Sequence, residues 1–157
     1  APVSLMGLLG HPLVDGGMER GVWLRQLRRV ERALRGPRKA GGLAPVAAIA
    51  ARLAQRHGRV ADWYAAVDQA LSPLVALHRQ DAIPMHALLD ALVESGEALC
   101  GEKLWAREDG RSLAGFVEEL RCHAREAGFA LAPGEAAIAL RDAMDAAEDH
   151  WLIGRLR

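Results

Sequence analysis

Apolar residues spaced three and four positions apart, in segments that end at glycine or proline, constrain the fold of this chain most strongly. The clearest segment is Glu19–Arg35, whose regular apolar spacing is typical of an amphipathic α-helix with one buried face. Its apolar stripe consists of Trp23, Leu27, Val30 and Leu34. Gly36 and Pro37 predict the helix end, because glycine favours the C-terminal turn and proline cannot continue the helix.

The same pattern predicts helices along the rest of the chain. They are Ser4–Gly10, Leu43–His57, Arg59–Arg79, a segment from Pro84 to Gly101, Asp109–Ala127 and Pro133–Ile153. Ser4 is a predicted N-cap. Pro73 is expected to kink or split its helix, with Ser72 as the cap of a new one. The apolar residues are mostly alanine, leucine and valine, and alanine and leucine favour helices. We therefore predict an all-α fold: a single domain of six or seven helices over residues 1–157.

The basic residues are concentrated near the N-terminus, although the whole chain is neutral. Residues 1–60 contain eleven basic and three acidic residues, a net charge of +8, so the remainder carries −8. One interpretation is a basic face for an anionic partner and an acidic face for another partner. The other is that the two halves attract each other inside one fold.

The basic side of Glu19–Arg35 is the strongest candidate binding site. It carries Arg25, Arg28, Arg29, Arg32 and Arg35, opposite the apolar stripe, and Arg38 and Lys39 extend the charge into the following loop. Guanidinium groups stay charged and bind phosphate bidentately. Such a row can follow a nucleic-acid backbone without reading its sequence. The alternative is that these arginines pair with the acidic half or simply face water.

Motifs for catalysis, cofactors and metals are absent from the sequence. The chain has no G-x-x-x-x-G-K-[ST], no G-x-G-x-x-G and no G-x-S-x-G. Its six histidines are scattered, and two cysteines, Cys100 and Cys122, give neither a disulfide framework nor a zinc pattern. We therefore predict no catalytic residue, no cofactor and no metal in this chain. Cys100 is expected in the core, and Trp105, in a loop beside Arg107, is a candidate docking residue.

Targeting signals are also absent from the sequence. No uncharged apolar run reaches the ~18 residues that a membrane helix needs, and no signal peptide is recognisable. We expect no membrane partner, and a cytoplasmic location in which both thiols stay reduced. The chain begins with alanine rather than methionine, which suggests a fragment of a larger protein.

Three segments, in this order, resemble one known protein family. Leu5–Leu13 reads LMGLLGHPL, Leu27–Leu43 reads LRRVERALRGPRKAGGL, and Ala98–Leu120 reads ALCGEKLWAREDGRSLAGFVEEL. They resemble the patterns LLxLLxHPL, L-D/E-R-A-L-R-G-P-R-P-A-x-G-L and EALAxxxLWxGExGxAxAxFxxEL of the alphaproteobacterial type of AddB. AddB is a subunit of the helicase–nuclease that processes DNA double-strand breaks for recombination. The middle segment is the most specific of the three.

The resemblance implies a helical insertion similar to the second B subdomain of UvrD-like helicases. The nucleotide-binding and nuclease motifs of such proteins lie outside this region, so no catalytic residue is carried over. Duplex DNA and an AddA-like helicase subunit are the implied partners. Trp151–Arg157 departs from the arginine- and proline-rich stretch that usually follows in the family. We expect a non-catalytic module that contacts the DNA backbone or the partner helicase subunit; the alternative is a purely structural protein–protein interaction module without DNA contact.

Overall fold

The computed structural model describes residues 2–35 and 42–155, and α-helices dominate this part of the chain. Its seven α-helices are α1 (Pro2–Gly10), α2 (Arg20–Leu34), α3 (Ala44–Ala54), α4 (Arg59–His78), α5 (Met85–Cys100), α6 (Arg107–Ala127) and α7 (Pro133–Arg155). A short 3-10 helix, Gly101–Leu104, connects α5 to α6. The prediction of an all-α fold with six or seven helices is confirmed.

Local hydrogen bonds define several helix ends. The Glu19 carboxylate caps α2 by accepting the backbone N–H groups of Gly21 and Val22, at 2.6 and 3.0 Å. Gly128 ends α6 with a left-handed backbone, as the sequence predicts. The predicted cap at Ser4 is wrong, because α1 already begins at Pro2. A proline is tolerated there because the first turn of a helix does not use its backbone N–H groups.

Helix α4 continues through Pro73, so the prediction that Ser72 caps a second helix is wrong. A proline inside a helix has no N–H for the carbonyl four residues earlier, which here belongs to Gln69. The Ser72 hydroxyl donates to that same carbonyl oxygen, at 2.9 Å. This side-chain hydrogen bond replaces the missing backbone bond and explains why the helix is not interrupted.

Two short strands were not predicted. They are β1 (Ile83–Pro84) and β2 (Ala130–Leu131), which pair antiparallel with Ile83 opposite Leu131. Pro84 therefore belongs to a strand, and α5 begins one residue later than predicted. A pair of two-residue strands is too short to leave a periodic sequence pattern, so the hydrophobic spacing could not reveal it.

The chain divides into two compact units. Unit 1 consists of Ala1–Ser72 and Ser95–Leu104, and unit 2 consists of Pro73–Glu94 and Trp105–Arg157. Unit 1 has twelve basic and seven acidic residues, a net charge of +5; unit 2 has eight and thirteen, a net charge of −5. The single domain expected over residues 1–157 stays a prediction, but the charge imbalance seen in the sequence follows this structural division.

Unit 1 has a core built around two tryptophans. Trp23 of α2 and Trp63 of α4 are fully buried, and their ring centroids lie 5.5 Å apart. The Trp23 indole N–H donates to the carbonyl oxygen of Leu9 in α1, at 2.8 Å. The same unit also buries Val30, Val46, Ile49, Val60, Val67 and Leu99. The prediction that Trp23 lies on the buried face of its helix is confirmed, as is the prediction that Cys100 lies in the core.

Unit 2 has a smaller core, formed by α5, α6, β2 and α7. Met85, Leu89 and Ala124 are buried at its centre, and Leu120 and Leu140 are among the half-buried residues packed against them. An ion-pair cluster joins α5 to α6. Asp90 accepts both from Arg125, at 3.3 Å, and from Arg121.

Candidate nucleic-acid interface

Most of the arginines predicted to bind nucleic acid lie on the exposed side of α2. The helix buries Trp23, Gln26, Leu27 and Val30. Arg25, Arg28, Arg32 and Arg35 are exposed, and we refer to these four residues as the arginine face. At ~100° per residue, the first three fall within an arc of about 60° opposite the buried side and span about 11 Å of the helix axis. Arg35 follows directly as the C-cap.

A basic residue outside the arginine face attaches α2 to the preceding loop. Arg20, in the first turn of α2, donates through Nη2 to the carbonyl oxygen of Gly10, at 2.8 Å, and through Nη1 to that of Val14. Its guanidinium therefore binds backbone inside unit 1 rather than contributing to the exposed charge. Arg20 fixes the end of α1 and the loop after it against the start of α2.

The loop between α1 and α2 is also attached to the end of α5. The backbone N–H groups of Asp15 and Gly16 donate to the carbonyl oxygen of Leu99, at 3.0 and 2.9 Å. The buried Asp15 carboxylate forms an ion pair with Lys103 and accepts the backbone N–H of Gly17, at 3.1 Å. These bonds hold the loop, so α2 starts from a fixed point in unit 1.

Carboxylates neutralise only part of the arginine face. Arg25 lies 3.9 Å from Glu19, and Arg35 lies 3.6 Å from Glu31. Both pairs are largely exposed, and exposed pairs of this kind contribute little to stability because water and salt screen them. Arg28 and Arg32 form no ion pair with any residue that the structure describes, and the Arg32 Nε donates to the Arg28 carbonyl oxygen, at 3.2 Å. The face therefore keeps unpaired positive charge at its centre.

Arg29 differs from its neighbours because it supports a buried amide. It is only half-exposed, and its Nη1 donates to the Oε1 of Gln26, at 2.7 Å. Gln26 is 2% exposed, so its polar group needs a partner inside the unit. The prediction that Arg29 binds nucleic acid overlooked this role. The sequence signal for this role was the position of Gln26, which lies three residues after Trp23 and therefore on the buried side of the helix.

The predicted site had two further members, and unit 1 has three more exposed arginines. Arg38 and Lys39 lie outside the described residues. Arg52, Arg56 and Arg59 are exposed, lie in unit 1 with the arginine face, and were not predicted as part of the site. Their spacing of four and three was the available signal. Reasoning from a single helix missed them because they belong to α3, the following turn and α4.

Other chemistry has little structural support in the described part of the chain. No group of three or more histidine, cysteine, aspartate or glutamate side chains among these residues is arranged to hold a metal ion. Burial, with a smaller contribution from Asp15, raises the pKa of the Cys100 thiol. That thiol therefore stays protonated and unreactive at neutral pH.

Trp105, the candidate docking residue, is half-buried. None of the described helices combines the length and apolar composition needed to cross a membrane.

Comparison with known proteins identifies no relative of this chain. No protein family, no curated protein sequence and no solved structure matches it significantly. The resemblance of the three segments to AddB therefore stays a prediction, and the charge and packing of the surface are the remaining guides to function.

Proposed function

We propose that this chain is a non-catalytic helical module of an AddB-like helicase–nuclease subunit in DNA double-strand break repair. Its arginine face holds the backbone of duplex DNA. The observation that supports this contact is the exposure of four arginines on the side of α2 opposite its buried residues. Charges in this position can meet phosphates without any change in the core, and they carry no information about base sequence. We also propose a cytoplasmic location, with an AddA-like helicase as the partner subunit.

The charge of unit 1 favours the same contact. Its net charge of +5 attracts a polyanion, and each arginine that binds a phosphate releases condensed counterions. If all four arginines bind phosphates, the logarithm of the binding constant falls with a slope of about −3.6 against the logarithm of salt concentration. Raising the salt from about 50 to about 200 mM should then weaken binding on the order of 100-fold.

The carboxylates near the arginine face do not prevent DNA binding. Glu19 and Glu31 lie at 3.9 and 3.6 Å from their arginines, and the arginines involved are 60% and 74% exposed. Exchange of a carboxylate for a phosphate therefore replaces a weak, solvent-screened pair by a charge-assisted one. The central arginines, Arg28 and Arg32, can contact phosphate with no such exchange.

A matched pair of charge variants tests the proposal by fluorescence anisotropy with labelled duplexes of unrelated sequence. The test variant is R25Q/R28Q/R32Q, and the control is R79Q/R111Q/R141Q, which removes three exposed arginines from unit 2. Arg29 is left unchanged because it holds Gln26. Glutamine is a good helix former, so α2 should persist in circular dichroism.

We expect the test variant to bind more weakly and to have a salt slope shallower by roughly one unit for each arginine that no longer binds a phosphate. The control variant should retain the slope of the wild type, and duplex sequence should have little effect. The measurement is repeated in the complete parent protein with its partner helicase subunit. If the folded test variant keeps both its affinity and its salt slope there, or if the control is weakened as much, the arginine face does not contact DNA.

The alternative function is an interaction module without DNA contact. The hydrogen bond from Arg29 to Gln26 and the ion pair of Arg35 with Glu31 favour it, because these arginines already have partners inside their own unit. In that case the test variant would lower the affinity for the partner subunit and leave DNA association unchanged, and R29Q, which removes the partner of Gln26, would lower the free energy of unfolding of unit 1. Urea unfolding and co-purification with the partner subunit separate the two functions.

A further inference from the structure

An open apolar groove lies in unit 2 between α5, α6 and α7. Its cavity volume is about 210 Å³. The buried lining residues include Met85 and Leu89 of α5. Leu120 of α6, Leu140 of α7 and Phe129 also line the groove. The groove is unfilled because four of its lining residues are alanines, at positions 124, 127, 139 and 143, whose side chains end at the β carbon.

Large apolar side chains at the groove are open to solvent. Phe129 is 41% exposed although it lines the groove. Met144 is 48% exposed and lies one helical turn after Leu140. Exposed large apolar side chains in and beside a concave apolar site are typical of a binding site.

Carboxylates flank this apolar surface. Glu119 and Glu126 are four residues before and three residues after His123, which lines the groove, so they lie along one edge of α6. Asp142 lies three residues after the lining residue Ala139, so it lies beside that residue along one edge of α7. All three carboxylates are exposed, and none forms an ion pair with another residue in the described part of the chain.

Nearby basic residues do not neutralise these carboxylates. Arg121 and Arg125 both bind Asp90 of α5. Arg141 lies about 150° around α7 from the middle of its lining residues, so it faces away from the groove. The surface around the groove is therefore negative, in agreement with the net charge of −5 of unit 2.

We infer that this groove binds an amphipathic helix of a partner protein, with apolar side chains in the groove and lysine or arginine residues beside the carboxylates. The lining positions of α6, from Leu120 to Ala127, extend over about 11 Å, or two helical turns. A partner helix that presents apolar residues at positions i, i+3 or i+4, and i+7 matches this length. An anionic membrane or a nucleic acid would be repelled by the same carboxylates. This inference does not depend on the proposed DNA contact.

A displayed peptide library tests both features of the groove with the full chain as bait. Each peptide has about 18 residues and fixed leucines at i, i+3, i+4 and i+7, with flanking positions varied between lysine and glutamate. We expect lysine to be enriched over glutamate at the flanks. Replacement of Ala143 by leucine should weaken the selected peptides at least about tenfold, because the larger side chain occupies the groove, and leucine keeps α7 helical.

The double variant E119Q/E126Q tests the charge contribution. It should weaken binding about two- to thirtyfold, since each exposed ion pair contributes about 0.2–1 kcal/mol. The control is E94Q/E108Q, which removes two exposed carboxylates of unit 2 away from the groove and should change the affinity less than twofold. Circular dichroism and thermal unfolding establish that each variant is folded.

Three results would overturn the inference. The first is an absence of enriched peptides, or equal enrichment of lysine and glutamate at the flanks. The second is binding that is unchanged when Ala143 is leucine in a folded protein. The third is a concentration-dependent dimer in sedimentation velocity that the same substitution abolishes, which would assign the groove to a second copy of this chain.

Discussion

Replacing Gly16 by alanine should destabilise unit 1 through a clash with Trp23. Gly16 has a φ of +56°, and a β carbon built on it would lie 2.4 Å from Cζ3 of Trp23. The indole cannot easily move away, because it is fully buried, packs against Trp63 and donates a hydrogen bond to Leu9. The loop backbone is also fixed, since the N–H of Gly16 donates to Leu99.

Gly17 provides a matched control for this substitution. Its φ is +75°, and nothing lies within 4 Å of a β carbon built on it. Alanine at Gly17 therefore has only the conformational penalty of the left-handed region, about 1–2 kcal/mol. Alanine at Gly16 has the same penalty plus overpacking of a filled core, about 1–3 kcal/mol, for a total of about 2–5 kcal/mol.

Urea and thermal unfolding, followed by the near-ultraviolet circular dichroism of the tryptophans, measure the difference between these two variants. For a chain of this size, 1–3 kcal/mol corresponds to about 2–12 °C in Tm. A further substitution, Trp23→Phe, should reduce the penalty of Gly16→Ala, because phenylalanine lacks the outer indole atoms that clash. Equal destabilisation by Gly16→Ala and Gly17→Ala would refute the packing of the loop against Trp23.

Two more predictions concern local hydrogen bonds. The pKa of Glu19 is lowered because the backbone N–H groups of Gly21 and Val22 donate to its carboxylate. The ionised carboxylate therefore stabilises α2 at neutral pH, and this stabilisation is lost as the pH falls through the lowered pKa. The urea midpoint should fall between about pH 7 and pH 3 in both proteins, because other carboxylates also lose their ion pairs, but it should fall further in the wild type than in Glu19→Ala. Ser72→Ala should destabilise the wild type by up to about 1 kcal/mol, because it removes the hydrogen bond to the Gln69 carbonyl oxygen. The same substitution should have little effect in a protein that already carries Pro73→Ala, because the new backbone N–H at position 73 can donate to that oxygen. A double-mutant cycle of thermal unfolding measures this coupling.

The sequence predicted the helices whose signals are local. The bounds of α2 differ from the prediction by one residue at each end, because its apolar stripe and its terminating residues are adjacent in the chain. Helix α6 begins two residues before its predicted start and ends at the predicted residue. The wrong prediction that Ser72 caps a second helix at Pro73 has a local cause too. The Ser72 side chain forms a hydrogen bond that replaces the backbone bond missing at the proline. The pairing of β1 with β2 joins residues that are distant in sequence, which periodicity cannot show.

The two candidate sites also differ in whether the signals for them are local in the sequence. The arginine face follows from the spacing of residues in one predicted helix, and four of the five arginines predicted as a binding site in that segment are exposed. The hydrogen bond from Arg29 to Gln26 could not be predicted, because the burial of Gln26 is a property of the folded unit. The apolar groove could not be predicted, since its lining comes from three helices and its alanines serve equally well as ordinary helix formers.

The two surfaces carry opposite unpaired charge, and this makes the two proposals separable. In unit 1, Glu19 and Glu31 pair with two arginines of the face and leave Arg28 and Arg32 unpaired among the described residues. Around the groove, two basic residues are bound by Asp90, and the flanking glutamates are left unpaired there. Added salt should weaken both interactions, but the polyanion releases condensed counterions and a peptide helix does not. DNA binding should therefore depend far more steeply on salt than peptide binding, and each should respond only to charge variants of its own unit.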